Sequence, residues 1–429
     1  MKKTFTSLAL LAISGMAATV QAQDAQRAKV SNIAFTLDQQ VRRRCSTMDV
    51  LTEQLASNPG MARRMAAIEE HTRQFEANPT ARRTTAALTI PVVVHVLYNT
   101  TAQNVSDAQV QAQIDVLNQD FAKTNADASL IPAAFAASAA SANIQFTLAK
   151  RTPTGTATTG IIHKQTKVSS WSSNDAVKNS KRGGDDAWDA SKYLNLWVCN
   201  LGQGLLGYAQ FPGGSPATDG VVVLYSSLPG GTAKPYDKGR TATHEVGHWL
   251  NLRHIWGDAS CGNDYVSDTP TQQTSNYGCP SFPHVTCSNG TSGDMFMNYM
   301  DYTDDACMYM FSNGQASRMN ALFATGGARA SLVTSTGGTA PRMIASTSST
   351  DLDVQLYPNP TSGKLILQSS LEEAAGKWSV KVYDLQGFEM KQLRTDDPAT
   401  LDVGRLPNGL YHAVLTNGTT TVHRRFQKE

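Results

Sequence analysis

The chain has little charge and almost no excess of either sign: 17% of its 429 residues are Asp, Glu, Lys or Arg, and the formal net charge is +2. That balance excludes a nucleic-acid-binding or membrane-binding surface driven by overall charge. Also missing is a run of roughly 20 apolar residues, so no segment reads as a membrane span. The nearest approach, Leu8 to Ile13, follows Lys2 and Lys3 and leads to Val20-Gln21-Ala22. This tripartite pattern predicts a signal peptide over residues 1–22, cut after Ala22, and hence export. Cysteine is scarce and unevenly placed: Cys261, Cys279, Cys287 and Cys307 fall together, while Cys45 and Cys199 stand alone. In an exported chain the cluster predicts disulfides, although spacing leaves all three pairings open.

The length exceeds one ordinary core and predicts more than one folded unit. Residues 23–87 hold two helical stretches, one with Met61, Met65, Ile68 and Phe75 near helical spacing, broken at Asn58-Pro59 and Asn78-Pro79. Basic pairs at Arg63-Arg64 and Arg82-Arg83 read as exposed cleavage points, so this segment is expected to be a pro-region. A packed α/β (α+β) domain with a mixed sheet is expected over 88–328. Its strands are Ile90 to Leu97, Ile144 to Leu148, Leu194 to Val198 and Val221 to Leu224, with a helix capped by Ser106. Residues 329–350 are rich in Ser, Thr, Gly and Ala and read as a linker. Short strands at Leu365 to Leu367, Val380 to Tyr383, Leu401 to Val403 and Leu410 to Leu415 then predict a small all-β, Ig-like sandwich over 351–429.

Chemistry concentrates at residues 244 to 254, His-Glu-Val-Gly-His-Trp-Leu-Asn-Leu-Arg-His. On a helix, His244 and His248 lie on one face and present two imidazoles to one zinc ion, with Glu245 beside it as general base. If the helix continued, His254 would lie ~15 Å along the axis from His244, far beyond a zinc bond of about 2.1 Å. The chain must therefore turn back, and Asn251, which tolerates positive φ, is where the turn is expected. Three neutral histidines leave a position for a water that zinc acidifies, Glu245 taking its proton during attack on a peptide carbonyl and passing it to the leaving amine. His71, His95, His163, His284, His412 and His423 have no ligand spacing and read as structural or surface residues.

His-Glu-Val-Gly-His-Trp-Leu-x-Leu-x-His, together with Asn298-Tyr299-Met300-Asp301-Tyr302 through Cys307, resembles the pappalysin (cytophagalysin) family of metzincin metalloproteases. The likeness spans about 88 to 325 and includes Leu205 to Pro212, similar to the family's cleft-lining strand. It implies a Met-turn at Met300, a metal-site tyrosine at Tyr302 able to hydrogen-bond a developing oxyanion, and disulfides Cys261 to Cys287 and Cys279 to Cys307. Asn251 departs from the family's usual Gly. The loop with Asp264, Asp268 and Thr269 is similar to a family loop that binds calcium, as hard oxygen donors would. Asp304 and Asp305 are candidates for the floor of a pocket selecting Arg or Lys after the cut. As in some relatives, Cys45 is a candidate cysteine switch, its thiolate blocking the zinc until the pro-region is removed; pairing with Cys199 or with another chain is the alternative. Otherwise Cys199 is expected to be a buried free thiol.

Leu356-Tyr357-Pro358-Asn359-Pro360 through Leu406-Pro407-Asn408-Gly409-Leu410-Tyr411 resembles the C-terminal sorting domain of the type IX secretion system. That implies a Bacteroidetes-type bacterium and a chain either released or attached to the cell surface. Together these readings predict a secreted, monomeric, zymogenic zinc endopeptidase, with protein substrates and the type IX machinery as partners. Its rivals are a degenerate protease domain used for adhesion and a zinc hydrolase acting on other bonds.

Overall fold

The computed structural model describes residues 43–78, 87–341, 354–369, 378–385, 387–391, 393–397, 399–416 and 421–429. The expected signal peptide and the Arg82-Arg83 pair lie outside these residues. Two units separate, 1–341 and 342–429. No described helix is long and apolar enough to cross a membrane.

The first unit opens with helices α1 (Thr47–Ser57) and α2 (Pro59–Ala77). Pro59 occupies the first turn of α2, where its missing N–H is no loss. It separates the two helices at the predicted break. Arg63 and Arg64 are exposed and sit within the helical backbone of α2.

Strand β1 (Leu88–Tyr98) is buried on both faces at most of its length, as a central parallel strand must be. It pairs in parallel with β2 (Ile144–Leu148), β3 (Ile161–Gln165) and β4 (Leu194–Cys199). Strand β6 (Val221–Leu224) continues the sheet in parallel, and the short β5 (Gly207–Ala209) adds an antiparallel edge. The expected mixed sheet is present. β3 was not expected, because its residues lack the alternation of a half-buried strand.

Helix α3 (Asp107–Ala122) starts at Ser106, whose hydroxyl accepts the Gln109 N–H as predicted. It packs Val110, Ile114, Leu117 and Phe121 into the main core. Its Asp120 reaches helix α4 (Arg240–Trp249), accepting from the Arg240 guanidinium at 2.9 Å and the Thr243 hydroxyl at 2.7 Å. Every residue of α4 is buried. Helix α5 (Asn313–Ala321) follows, with a capping box at Ser312 and Gln315.

The stretch expected to open a linker at residue 329 instead completes the first unit. Arg329 forms a two-pronged ion pair with Asp219 at 2.9 and 3.0 Å, and stacks its guanidinium 3.6 Å from the centre of the Trp249 ring. Leu332 is buried in the same core. The composition of 329–341 hides this, because one arginine and one leucine carry the packing among small polar residues.

The second unit contains a four-stranded sheet and a three-stranded sheet, all antiparallel. One core, including Val354, Leu365, Val382, Leu401, Ala413 and Phe426, draws on strands of both.

Asp219 also accepts the Trp249 indole N–H at 3.1 Å, so its loss leaves a buried guanidinium and an indole without their acceptor. Asp219→Ala is expected to destabilise the first unit by about 3–5 kcal/mol, the usual cost of breaking a buried ion pair. Urea unfolding followed by tryptophan fluorescence checks this; a midpoint like the parent's would contradict it.

Candidate metal centre and cleft

Helix α4 brings His244 and His248 onto one face, and the chain leaves the helix at Asn251, whose φ is 70°. The predicted turn is there, and it carries His254 back. The Nε2 atoms of His244 and His254 each lie 3.1 Å from Nε2 of His248. Tetrahedral zinc, with bonds of about 2.1 Å, requires ligand separations of ~3.4 Å. Each remaining ring nitrogen is committed to an oxygen: Nδ1 of His244 to Tyr299 O at 2.7 Å, of His248 to Leu252 O at 2.8 Å, and of His254 to Asp258 at 2.5 Å. That arrangement fixes the tautomer and turns each Nε2 lone pair inward. Burial pulls His244 and His248 well below the ordinary histidine range, keeping them neutral as metal ligands require. These residues fit zinc.

The floor under the helix is Met300, which is fully buried. Gly247 is required above it: a Cβ there would lie 2.4 Å from the Met300 sulfur. Tyr302 brings its hydroxyl within 3.2 Å of His254 Nε2, and burial raises its phenol well above the usual range, so it remains a proton donor. The disulfides are Cys261 to Cys287 and Cys279 to Cys307, the pairing that the resemblance implied.

Across this centre runs the segment 43–47. Cys45 forms a parallel bridge with Gly207 on the edge strand β5. Its ligand atom and those of the three histidines lie within 4.8 Å of one another. Glu245 is buried beside them, its carboxyl pushed up to about 8 by burial, against the opposing hydrogen bonds from Cys45 and Thr47. The Thr47 hydroxyl donates to Glu245 at 3.0 Å and accepts the Ala209 N–H at 2.8 Å. Arg43 pairs with Asp305 in full burial, and its backbone N–H donates to the Tyr236 hydroxyl at 2.9 Å. Asp305 also accepts the N–H groups of Lys238 at 2.8 Å and Arg240 at 3.2 Å, at the start of α4. Asp304 remains partly exposed.

Arg43 and Thr47 were not singled out from sequence, although they flank Cys45. Cys199 is buried and unpaired, its thiol raised by burial. His95 is held by Asp185 and Asn195 and is not among the residues grouped at the centre. The loop with Asp264, Asp268 and Thr269 does not converge on one point. Asp264 accepts from the Thr269 hydroxyl and the Val266 N–H, whereas Asp268 accepts from Ser312 and Gly314 at the start of α5. Among the described residues, Cys45 with the three histidines forms the group of His, Cys, Asp and Glu placed to hold a metal.

Comparison with known proteins agrees with this geometry. A family model of M43 peptidases, described as pregnancy-associated plasma protein-A, matches residues 177–324. An extracellular metalloprotease of Arthroderma otae is 35% identical over 245 residues, 55% of this chain and 77% of the relative. The chain belongs to the M43 metallopeptidases. An extracellular metalloprotease of Pyricularia oryzae is 34% identical over 251 residues, 56% of this chain and 76% of its own. Among solved structures, mature mirolysin of Tannerella forsythia with a cleaved peptide is 53% identical with TM-score 0.57, covering 58% of this chain and 97% of that one. A promirolysin mutant from the same organism is 49% identical with TM-score 0.62, covering 68% and 97%. Residues 355–429 match a secretion system C-terminal sorting domain.

Gly247→Ala tests the metal floor. On an open helix the change would stabilise by roughly 1 kcal/mol, but here it should destabilise by about 1–3 kcal/mol through overpacking and speed zinc loss to a chelator. An unchanged melting temperature with unchanged zinc release would refute the role given to Met300.

Proposed function

We propose that this M43 peptidase is a secreted zinc endopeptidase, made as a zymogen, that hydrolyses extracellular proteins ahead of basic residues. The observation that carries this reading is the course of residues 43–47: they place a cysteine at the three histidines, a hydroxyl on Glu245 and an arginine on Asp305. The chain's own segment thus occupies the positions that a substrate would need.

His244, His248 and His254 would hold the zinc, which supplies Lewis acidity to a water and to the peptide carbonyl. Glu245, buried beside the three histidines, takes the proton of the attacking water and delivers it to the leaving amine. The Tyr302 phenol donates to the developing oxyanion. Asp305, rather than Asp304, forms the pocket floor and takes the guanidinium or ammonium of the residue after the cut. Cys45 keeps the centre silent until the pro-region is cut away, and the free Cys45 and buried Cys199 argue against a disulfide between them.

In domain terms, residues 1–22 are the signal peptide, 23–87 the pro-region, and the unit ending near 341 the catalytic domain. The C-terminal unit delivers the chain to the type IX machinery, and its two sheets around one core support an Ig-like packing. The 264–269 loop adds no support for calcium, because Asp264 is committed to Thr269 and the Val266 N–H while Asp268 is committed to Ser312 and Gly314.

Glu245→Ala should abolish casein cleavage while leaving zinc content and fold intact, whereas Cys45→Ala should shorten the lag before activation. Residual casein cleavage by purified Glu245→Ala protein would defeat the mechanism. Asp305→Asn should lower kcat/KM for Arg-containing peptides by about a hundredfold relative to Leu-containing ones, since a buried charge pair is lost. A cleavage profile still centred on Arg would instead point to another pocket residue.

A further inference from the structure

Helix α2 docks on the catalytic unit through one face. Met61, Met65, Ile68, Thr72 and Phe75 are turned inward, spaced as a helical stripe, while Arg63, Ala66, Ala67, Glu70 and Arg73 face out. Met61 packs with Leu51 against Phe211, and Ile68 reaches the main core. Two polar ties fix the register along the groove: Arg64 donates to Gly213 O at 2.7 Å, and a His71 ring nitrogen lies 3.1 Å from Ala321 O.

At the middle of this face, Glu69 accepts from Arg318 at 2.7 Å and from the Asn251 side-chain amide at 3.0 Å. The Arg318 guanidinium is only 2% exposed. It is also held by catalytic-unit groups: it donates to Tyr265 O and Asn251 O, each at 3.4 Å, and lies over the Tyr265 ring, which Arg253 covers as well. The Arg318 Nε is buried without a partner. When the pro-region leaves, the apolar strip at Phe211 is uncovered and Arg318 loses its carboxylate. Its remaining bonds keep it aimed at the vacated position, because both acceptors stay with the catalytic unit.

We infer that this vacated face is a substrate-docking exosite on the activated enzyme, which takes an amphipathic helical segment carrying a carboxylate opposite Arg318. The inference rests on the zymogen reading above. Helix α2 itself is the imprint of the ligand: an apolar stripe for the groove by Phe211, and an acid one turn from Met65 and next to Ile68 for the arginine. On the vacated face Arg318 keeps its two carbonyl acceptors but has lost the carboxylate that met it there, so an incoming carboxylate is favoured over a neutral or basic side chain. Protein substrates with such a segment gain a second attachment that short peptides lack, and this lowers their KM without altering the chemistry at zinc.

The test uses the zinc-loaded full chain after activation and removal of the pro-region. The probe is a synthetic peptide of residues 59–77, stapled across the exposed positions 63 and 67 so that helicity is not in question. It should bind the activated enzyme and inhibit cleavage of a protein substrate that contains an acidic amphipathic helix. Hydrolysis of a short Arg-containing peptide should continue at its normal rate. A Glu69→Lys version of the probe should bind at least about tenfold more weakly. Absence of binding, equal binding by the Glu69→Lys probe, or equal inhibition of the short and long substrates each overturns the exosite while leaving the protease reading intact. An activated chain that leaves the short peptide uncut overturns both.

Discussion

Three imidazoles must point one nitrogen each at a common centre, and each can do so only if its other nitrogen is anchored to an acceptor. Here the anchors are Tyr299 O, Leu252 O and Asp258, drawn from the Met-turn, the end of the zinc helix and the loop beyond His254. The catalytic unit is arranged so that these three acceptors arrive together. The positive φ at Asn251 turns the chain, and the absence of a side chain at Gly247 admits Met300. Asp120 then ties α3 to the zinc helix and to the Tyr299 hydroxyl, 3.0 Å away, so the core and the metal centre share one buried carboxylate.

Latency reuses the same surfaces. Segment 43–47 borrows the open hydrogen-bonding edge of β5, with Leu206 donating to Arg44 O and Ser46 donating to Gly207 O. An exposed strand edge is a ready template for an extended chain. Segment 43–47 therefore pairs with an open strand edge, and its side chains meet Asp305, the three histidines and Glu245 in that order along the chain.

Much of this was legible in sequence where the signal is local. His244, Glu245 and His248 depend on one helical turn, and the need for a turn at Asn251 follows from the length of a helix that His254 could not otherwise join. The strand at Val221 announces itself as an apolar run, and that at Ile144 as an alternation of apolar and polar residues. What stayed hidden depends on partners far apart: Arg43 with Asp305, Arg329 with Asp219, and Glu69 with Arg318. No periodicity marks an arginine for burial, since the same residue on the surface would read identically. The disulfide pairing came only through resemblance, because spacing allows three. For the loop at Asp264, acidic residues close in sequence turned out to serve two separate sites, a backbone turn and the start of α5.

Asp305 raises a question that activation must resolve. A buried carboxylate paired with Arg43 would be left exposed to an empty pocket once the pro-region departs, and an unpaired buried charge is ordinarily costly. Here the same carboxylate accepts the Lys238 and Arg240 N–H groups at the start of the zinc helix, where the helix dipole favours an anion. The Asp305 carboxylate thus keeps two backbone donors of the catalytic unit when Arg43 is gone. Under the proposed function that leaves it ready for a substrate cation, and its bonds tie it to the start of the helix that bears His244, Glu245 and His248.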